Sequence, residues 1–130
     1  AAVMNAVGDY IPGNVVCAIE EGGFSEIREV LRFGISRVMK VDGKYILPGL
    51  NLLIRNKLHF SINDISTARQ LKQAGLPMLF VQGVYSEFVP ESMLFDNYYA
   101  YGGEREMLIR ADAEEHYFER IFSFLDKNFK

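Results

Sequence analysis

Three short runs, apolar at nearly every position, most constrain this chain: Val15 to Ile19, Met78 to Val81, and Met107 to Ile109. A strand with one wet face alternates apolar and polar side chains. A run without alternation needs cover on both faces. The stretches between these runs carry apolar residues at helical spacing. Strands alternating with such helices build a parallel sheet with crossover helices on both sides. The expected fold class is therefore α/β, part of a doubly wound, mostly parallel sheet. Three strands make it narrow, and its edges invite pairing with something further.

Local signals divide the chain more finely. Ala1 to Val7 reads as the end of a helix, stopped by Gly8-Asp9. Glu20-Glu21-Gly22-Gly23 breaks the first strand, with the two acids as a solvated strand end. Ser25 is expected to cap a helix carrying Ile27, Val30, Leu31 and Ile35, weakened or shortened at Gly34. Asp42-Gly43 is a turn, and Pro48 suits the first turn of another short helix. Ser61-Ile62-Asn63-Asp64 fits a capping box opening a helix that turns Ile62, Ile65, Ala68 and Leu71 inward. A helix after Pro90 points Met93, Leu94 and Tyr98 at the core. The last helix carries Tyr117, Ile121, Phe122, Leu125 and Phe129 as an apolar stripe. Met39, Met78, Met93 and Met107 read as core.

Length and composition fit one globular domain: 130 residues, 49% hydrophobic and 24% charged. The net charge of −3 gives the whole chain no pull toward nucleic acid or anionic lipid, so neither nucleic acid nor membrane is expected as a partner. One cysteine, Cys17, allows no intrachain disulfide and reads as a small buried hydrophobe. His59 and His116 have no partners at metal-ligand spacing, and no metal or organic cofactor is expected. No apolar stretch reaches membrane-spanning length, and no basic segment with an apolar run opens the chain, which suggests a cytoplasmic protein. Ala1 to Val7 resembles the middle of a buried helix with no cap before it. The chain is therefore expected to be N-terminally incomplete, completed by a missing half or a partner chain.

In an open parallel sheet, ligands gather at the carboxyl ends of the strands. That directs attention to Glu20 to Phe24, Gln82 to Pro90, and Arg110 to His116. Here the chain resembles a family. Leu76-Pro77-Met78-Leu79-Phe80-Val81-Gln82-Gly83, followed by Glu87-Phe88-Val89-Pro90, is similar to the late-strand segment of α/β hydrolases, which commonly reads LPxLFIHG and then DxDxFVP. Ala1 to Glu26 resembles the helix after the nucleophile elbow, the next strand and a DCGYTS-like segment. Tyr117 to Leu125 resembles the closing helix. Residues 36–60 fall where the family carries a variable cap. The nearest likeness is to bacterial carboxylesterases, lysophospholipases and serine aminopeptidases.

The resemblance implies a Ser–acid–His triad in that chain order. The G-x-S-x-G elbow would lie immediately before Ala1, outside this chain. The family's acid position falls on Ser86, which cannot hold an imidazolium by charge. Glu87 is adjacent and is the candidate substitute acid, read otherwise as a solvated helix-start residue. His116 is the candidate base. It abuts the last helix, and two alternatives stand: the histidine loop is deleted and His116 is a surface residue at a helix start, or several residues are missing between Glu114 and His116. His59 reads as structural.

The implied activity is that of a serine hydrolase acting on an apolar ester, thioester or amide through an acyl-enzyme. The rival is a non-catalytic hydrolase-like scaffold, favoured by Ser86, by Gln82 and Val84 at other motif positions, and by the short histidine loop. An unrelated flavodoxin-like domain would need more strands than the three found.

Overall fold

The computed structural model describes residues 1–9, 11–83, 89–110 and 114–129. It contains three parallel strands, β1 (Ala18–Glu21), β2 (Met78–Gly83) and β3 (Arg105–Arg110), in spatial order β1-β2-β3. Six helices accompany them among the described residues: α1 (Ala2–Val7), α2 (Ile27–Met39), α3 (Leu47–Leu58), α4 (Thr67–Leu71), α5 (Ser92–Ala100) and α6 (Glu114–Asn128). A single 3-10 turn at Gly43–Tyr45 joins α2 to α3.

The central strand carries the core. Met78, Leu79, Phe80, Val81 and Gln82 are all buried. Alternate side chains leave on opposite faces. Met78 and Phe80 pack with Met4 and Val7 of α1, Leu71 of α4, and Leu94 and Tyr101 at α5. Leu79 and Val81 pack with Phe124 of α6, joined by Ile19 and Leu108. Helices therefore cover both faces of the parallel sheet, as the unalternating runs required. Phe80 meets Tyr98 and Tyr101 edge-on, at 5.8 and 5.7 Å between ring centroids.

Several elements differ from expectation, each for a local reason. The first strand starts at Ala18, three residues late, and continues through both acids. Its ladder opens with the Ala18 amide donating to the Pro77 carbonyl at 2.9 Å and pairs Ala18 with Met78. Pro77 has no amide hydrogen, so the ladder cannot extend backwards to Val15 and Val16. Glu20 is buried, not solvated.

Ser25 does not cap α2. Glu26 is the extended residue before the helix and bridges antiparallel to Ser66. Gly34 neither shortens nor ends α2, which runs for 13 residues to a left-handed Lys40. Ser61 opens no helix. Asn51 Oδ1 accepts from the Ser61 hydroxyl at 3.1 Å and from the Ile62 amide at 3.0 Å, fixing a turn, and α4 begins at Thr67. Among the described side chains of α6 the buried one is Phe124, whereas Phe122, and Phe129 just past the helix, are exposed. The helix meets the sheet along Tyr117, Ile121 and Phe124. Met39 is exposed as well, while Met78 and Met93 are core.

Candidate functional site

Parallel strands put their carboxyl ends on one side of the sheet. The chain leaves β1 there through Gly22 to Glu26, and it enters α5 after β2 through Val89 and Pro90. A buried polar network fixes the first of these loops. Glu20 is 2% exposed, and its Oε2 accepts from the Gly23 amide at 2.9 Å. Its Oε1 is buried with no hydrogen-bond partner among the described residues. Burial pushes the Glu20 carboxyl up to about 7, against the opposing pull of the Gly23 hydrogen bond.

Asn97 ties this loop to α5. It sits on the inner face of the helix with Met93 and Leu94, and its Nδ2 donates to the Gly23 carbonyl at 3.1 Å. Thr67 ties the same loop to α4. Its amide donates to the Ser25 carbonyl at 3.0 Å. The Thr67 hydroxyl lies 3.1 Å from that oxygen and 3.2 Å from Asn97 Oδ1. Ser25, itself buried, donates from its hydroxyl to Asp96 at 3.3 Å.

Gln82, at the end of β2, is fully buried. Its Nε2 donates to the Val89 carbonyl at 3.3 Å, tying β2 to the residues that lead into α5. Its Oε1 is a second buried acceptor without a partner among the described residues. The parallel register pairs Glu20 with Phe80, two residues before Gln82. Both unpartnered oxygens therefore belong to the same face of neighbouring strands.

Beside this network lies an open cleft of about 980 Å³ between α2 and α5. Phe33 and Met93 give it apolar walls; Glu26, Glu29 and Asp96 give it acids. Arg32 also reaches the cleft, but its guanidinium is committed to both oxygens of Asp42, at 3.0 and 3.1 Å. That pairing, together with the Lys44 amide on Asp42, holds the Asp42 carboxyl well below the usual carboxylate range.

The sequence candidates are placed unevenly. Ser86 and Glu87 lie outside the described residues. His116 sits in α6 with its side chain 82% exposed and Nδ1 3.7 Å from Glu119, turned to solvent and not to the buried network. His59 is the left-handed residue ending α3, also exposed. Cys17 is half-buried against the second core cluster, and burial raises its thiol. Sequence reasoning missed Glu20, Thr67 and Asn97 as a joined set. The one available signal was alternation along β1, which puts Glu20 on the same face as Ala18.

No family model matches the chain, and no curated protein sequence matches it. A solved structure does resemble it: acetyl xylan esterase 1 from Thermoanaerobacterium sp. JW/SL YS485, at 14% sequence identity and a TM-score of 0.61. The likeness covers 89% of this chain and 39% of that one, so the chain spans well under half the esterase's length. At this identity it is a likeness of fold. The described residues thus form an α/β unit with a three-stranded parallel sheet, consistent with part of an α/β-hydrolase-like fold.

Proposed function

We propose that this chain is the C-terminal part of an α/β-hydrolase-fold serine hydrolase, cleaving ester, thioester or amide bonds through an acyl-enzyme. The observation that carries this reading is the cleft between α2 and α5, bordered by the segments that follow the carboxyl ends of β1 and β2, on a fold shared with an esterase. The nucleophile elbow belongs to sequence upstream of Ala1. The buried network of Glu20, Thr67 and Asn97 holds the loop that forms one border of the cleft. His116 is the base in this reading, with Glu87 the acid in place of Ser86.

A non-catalytic scaffold is the second reading. It is favoured by the exposure of His116 and by its pairing with Glu119.

Fluorophosphonate labelling separates the two. This chain alone is expected to remain unlabelled and to leave short-chain nitrophenyl esters intact. A longer protein with an elbow serine upstream of Ala1 is expected to label at that serine, and His116→Ala is expected to abolish the labelling. An upstream segment without a serine at the elbow, or a longer protein that fails to label, assigns the chain to the scaffold reading.

A further inference from the structure

Residues 37–60 differ from the rest of the chain in charge and in surface. They hold five basic residues, Arg37, Lys40, Lys44, Arg55 and Lys57, and a single acid, Asp42. Everything outside them holds nine basic residues against sixteen acidic ones, so the overall charge of −3 conceals a positive segment on an acidic body. The one acid is paired from both sides of the segment's boundary: Arg32 donates to both of its oxygens, and Lys44 Nζ lies 3.5 Å from Oδ2. All five basic side chains are exposed.

The same segment displays much of the large apolar surface that the fold leaves uncovered. Val38 is 82% exposed, Tyr45 72%, Leu53 62% and Leu58 60%, with Met39 and Leu52 close behind. In α3 only Leu47 is buried, while Leu50, Asn51 and Ile54 face inward at helical spacing. The opposite side of α3 offers Leu52 and Leu53 beside Arg55 and Lys57. α2 buries no residue at all.

We propose that residues 37–60 dock on the surface of an anionic lipid bilayer, with exposed apolar side chains entering the headgroup boundary and the surrounding lysines and arginines facing acidic lipid. Apolar residues interleaved with basic ones are what an interfacial segment uses: burial of apolar area and attraction to acidic headgroups act together. Charge complementarity selects this occupant. α6 also exposes Phe118, Phe122 and Phe129, but the acids Glu119 and Asp126 lie among them, and its cations Arg120 and Lys127 are paired with Glu104 and Glu106. That face has no attraction for an acidic surface. Among the described residues no helix is long and apolar enough to cross a membrane, so the contact is one of lying on the bilayer.

The test is co-sedimentation of the chain with vesicles of phosphatidylcholine alone and of phosphatidylcholine mixed with phosphatidylserine. Binding is expected to be about tenfold stronger to the mixed vesicles and to weaken as salt is raised. The pairs Leu52→Ser with Leu53→Ser, and Lys40→Glu with Lys57→Glu, should each remove most of it. Phe118→Ser with Phe122→Ser should leave it unchanged. Where a paired variant loses its circular dichroism spectrum, the single changes Leu53→Ser and Lys57→Glu take its place. No binding, equal binding to both vesicles, or equal loss with the α6 pair overturns the proposal. So does a dimer that Leu52→Ser with Leu53→Ser disperses, which assigns the patch to a second copy. A longer protein that includes the upstream segment and no longer binds vesicles also overturns it, since the patch is then an internal interface.

Discussion

Asn97 Nδ2 donates to the carbonyl of Gly23 at 3.1 Å, joining the inner face of α5 to the loop after β1 across 74 residues of sequence. The bond is buried, and Asn97 Oδ1 is also within reach of the Thr67 hydroxyl. Asn97→Ala leaves the Gly23 carbonyl buried without a donor. It should lower stability by about 1–3 kcal/mol, the usual cost of an unsatisfied buried group. Asn63 is the control. It is exposed and accepts from Arg28 at 3.0 Å, and Asn63→Ala should cost no more than about 0.5 kcal/mol. Urea denaturation of the two variants reads both numbers, and equal losses would contradict the role given to the buried bond.

Glu20 makes stability fall as pH rises. Its carboxyl is raised from 4.5 to about 7 in the folded protein, first by burial. Between those values the folded state keeps a proton that the unfolded chain releases. Unfolding is therefore favoured progressively from about pH 4.5 to about pH 7, and the effect is complete above that. Each pKa unit corresponds to roughly 1.4 kcal/mol, so the change amounts to a few kcal/mol. Glu20→Gln should flatten this part of the profile and leave the variant more stable than the parent near neutral pH. Denaturation midpoints from about pH 5 to about pH 8 test it, and an unchanged slope in the variant would assign the slope to other groups.

Gly8, the residue that caps the end of α1, packs against Gln70 of α4. A Cβ there would lie 2.5 Å from the Gln70 carbonyl oxygen and 2.7 Å from the Gln70 Cβ. Two backbones must then separate, not one flexible side chain. Gly8→Ala should lower stability by about 1–3 kcal/mol. Gly13 has nothing within 4 Å of the added carbon, and Gly13→Ala should lack this steric penalty. Thermal melts of the pair distinguish the steric effect from any general effect of losing a glycine.

Phe80 and Phe122 should separate widely in a melt. Phe80 is fully buried on the central strand between Tyr98 and Tyr101, and Phe80→Ala should cost about 3–5 kcal/mol. Phe122 is 61% exposed, and Phe122→Ala should stay within about 0.5 kcal/mol of the parent. Comparable losses would mean that α6 meets the sheet along the face the apolar stripe first suggested.

What could be read from the residues was what depends on apolar runs. Met78 to Val81, doubly covered, could only be a central strand, and α/β architecture followed from it. The apolar stripe of the last helix was misread in part because its apolar residues spread over almost half of the helix circumference. Spacing alone could not choose between Phe122 and Phe124. The ends of β1 and α2 were hidden because they depend on distant partners: Pro77 for one, Ser66 for the other. The buried network was illegible for the same reason. Glu20, Thr67 and Asn97 are unremarkable polar residues until three separate elements bring them together. The positive segment was fully present in the sequence but was averaged away in the net charge.

The sheet also dictates an order of assembly. Ala18 pairs with Met78, and Met78 pairs with Arg105, so the β1–β2 pairing closes a loop more than twice as long as the β2–β3 pairing. Chain entropy charges more for the longer closure, and parallel strands reward it late. The stretch from β2 through α5 to β3 should therefore form early, presenting one finished edge as a template. β1 arrives last and brings Glu20 with it. A carboxyl group thus leaves water in the final step, and the rate of that step, more than the stability of the finished sheet, is where acidity should first be felt.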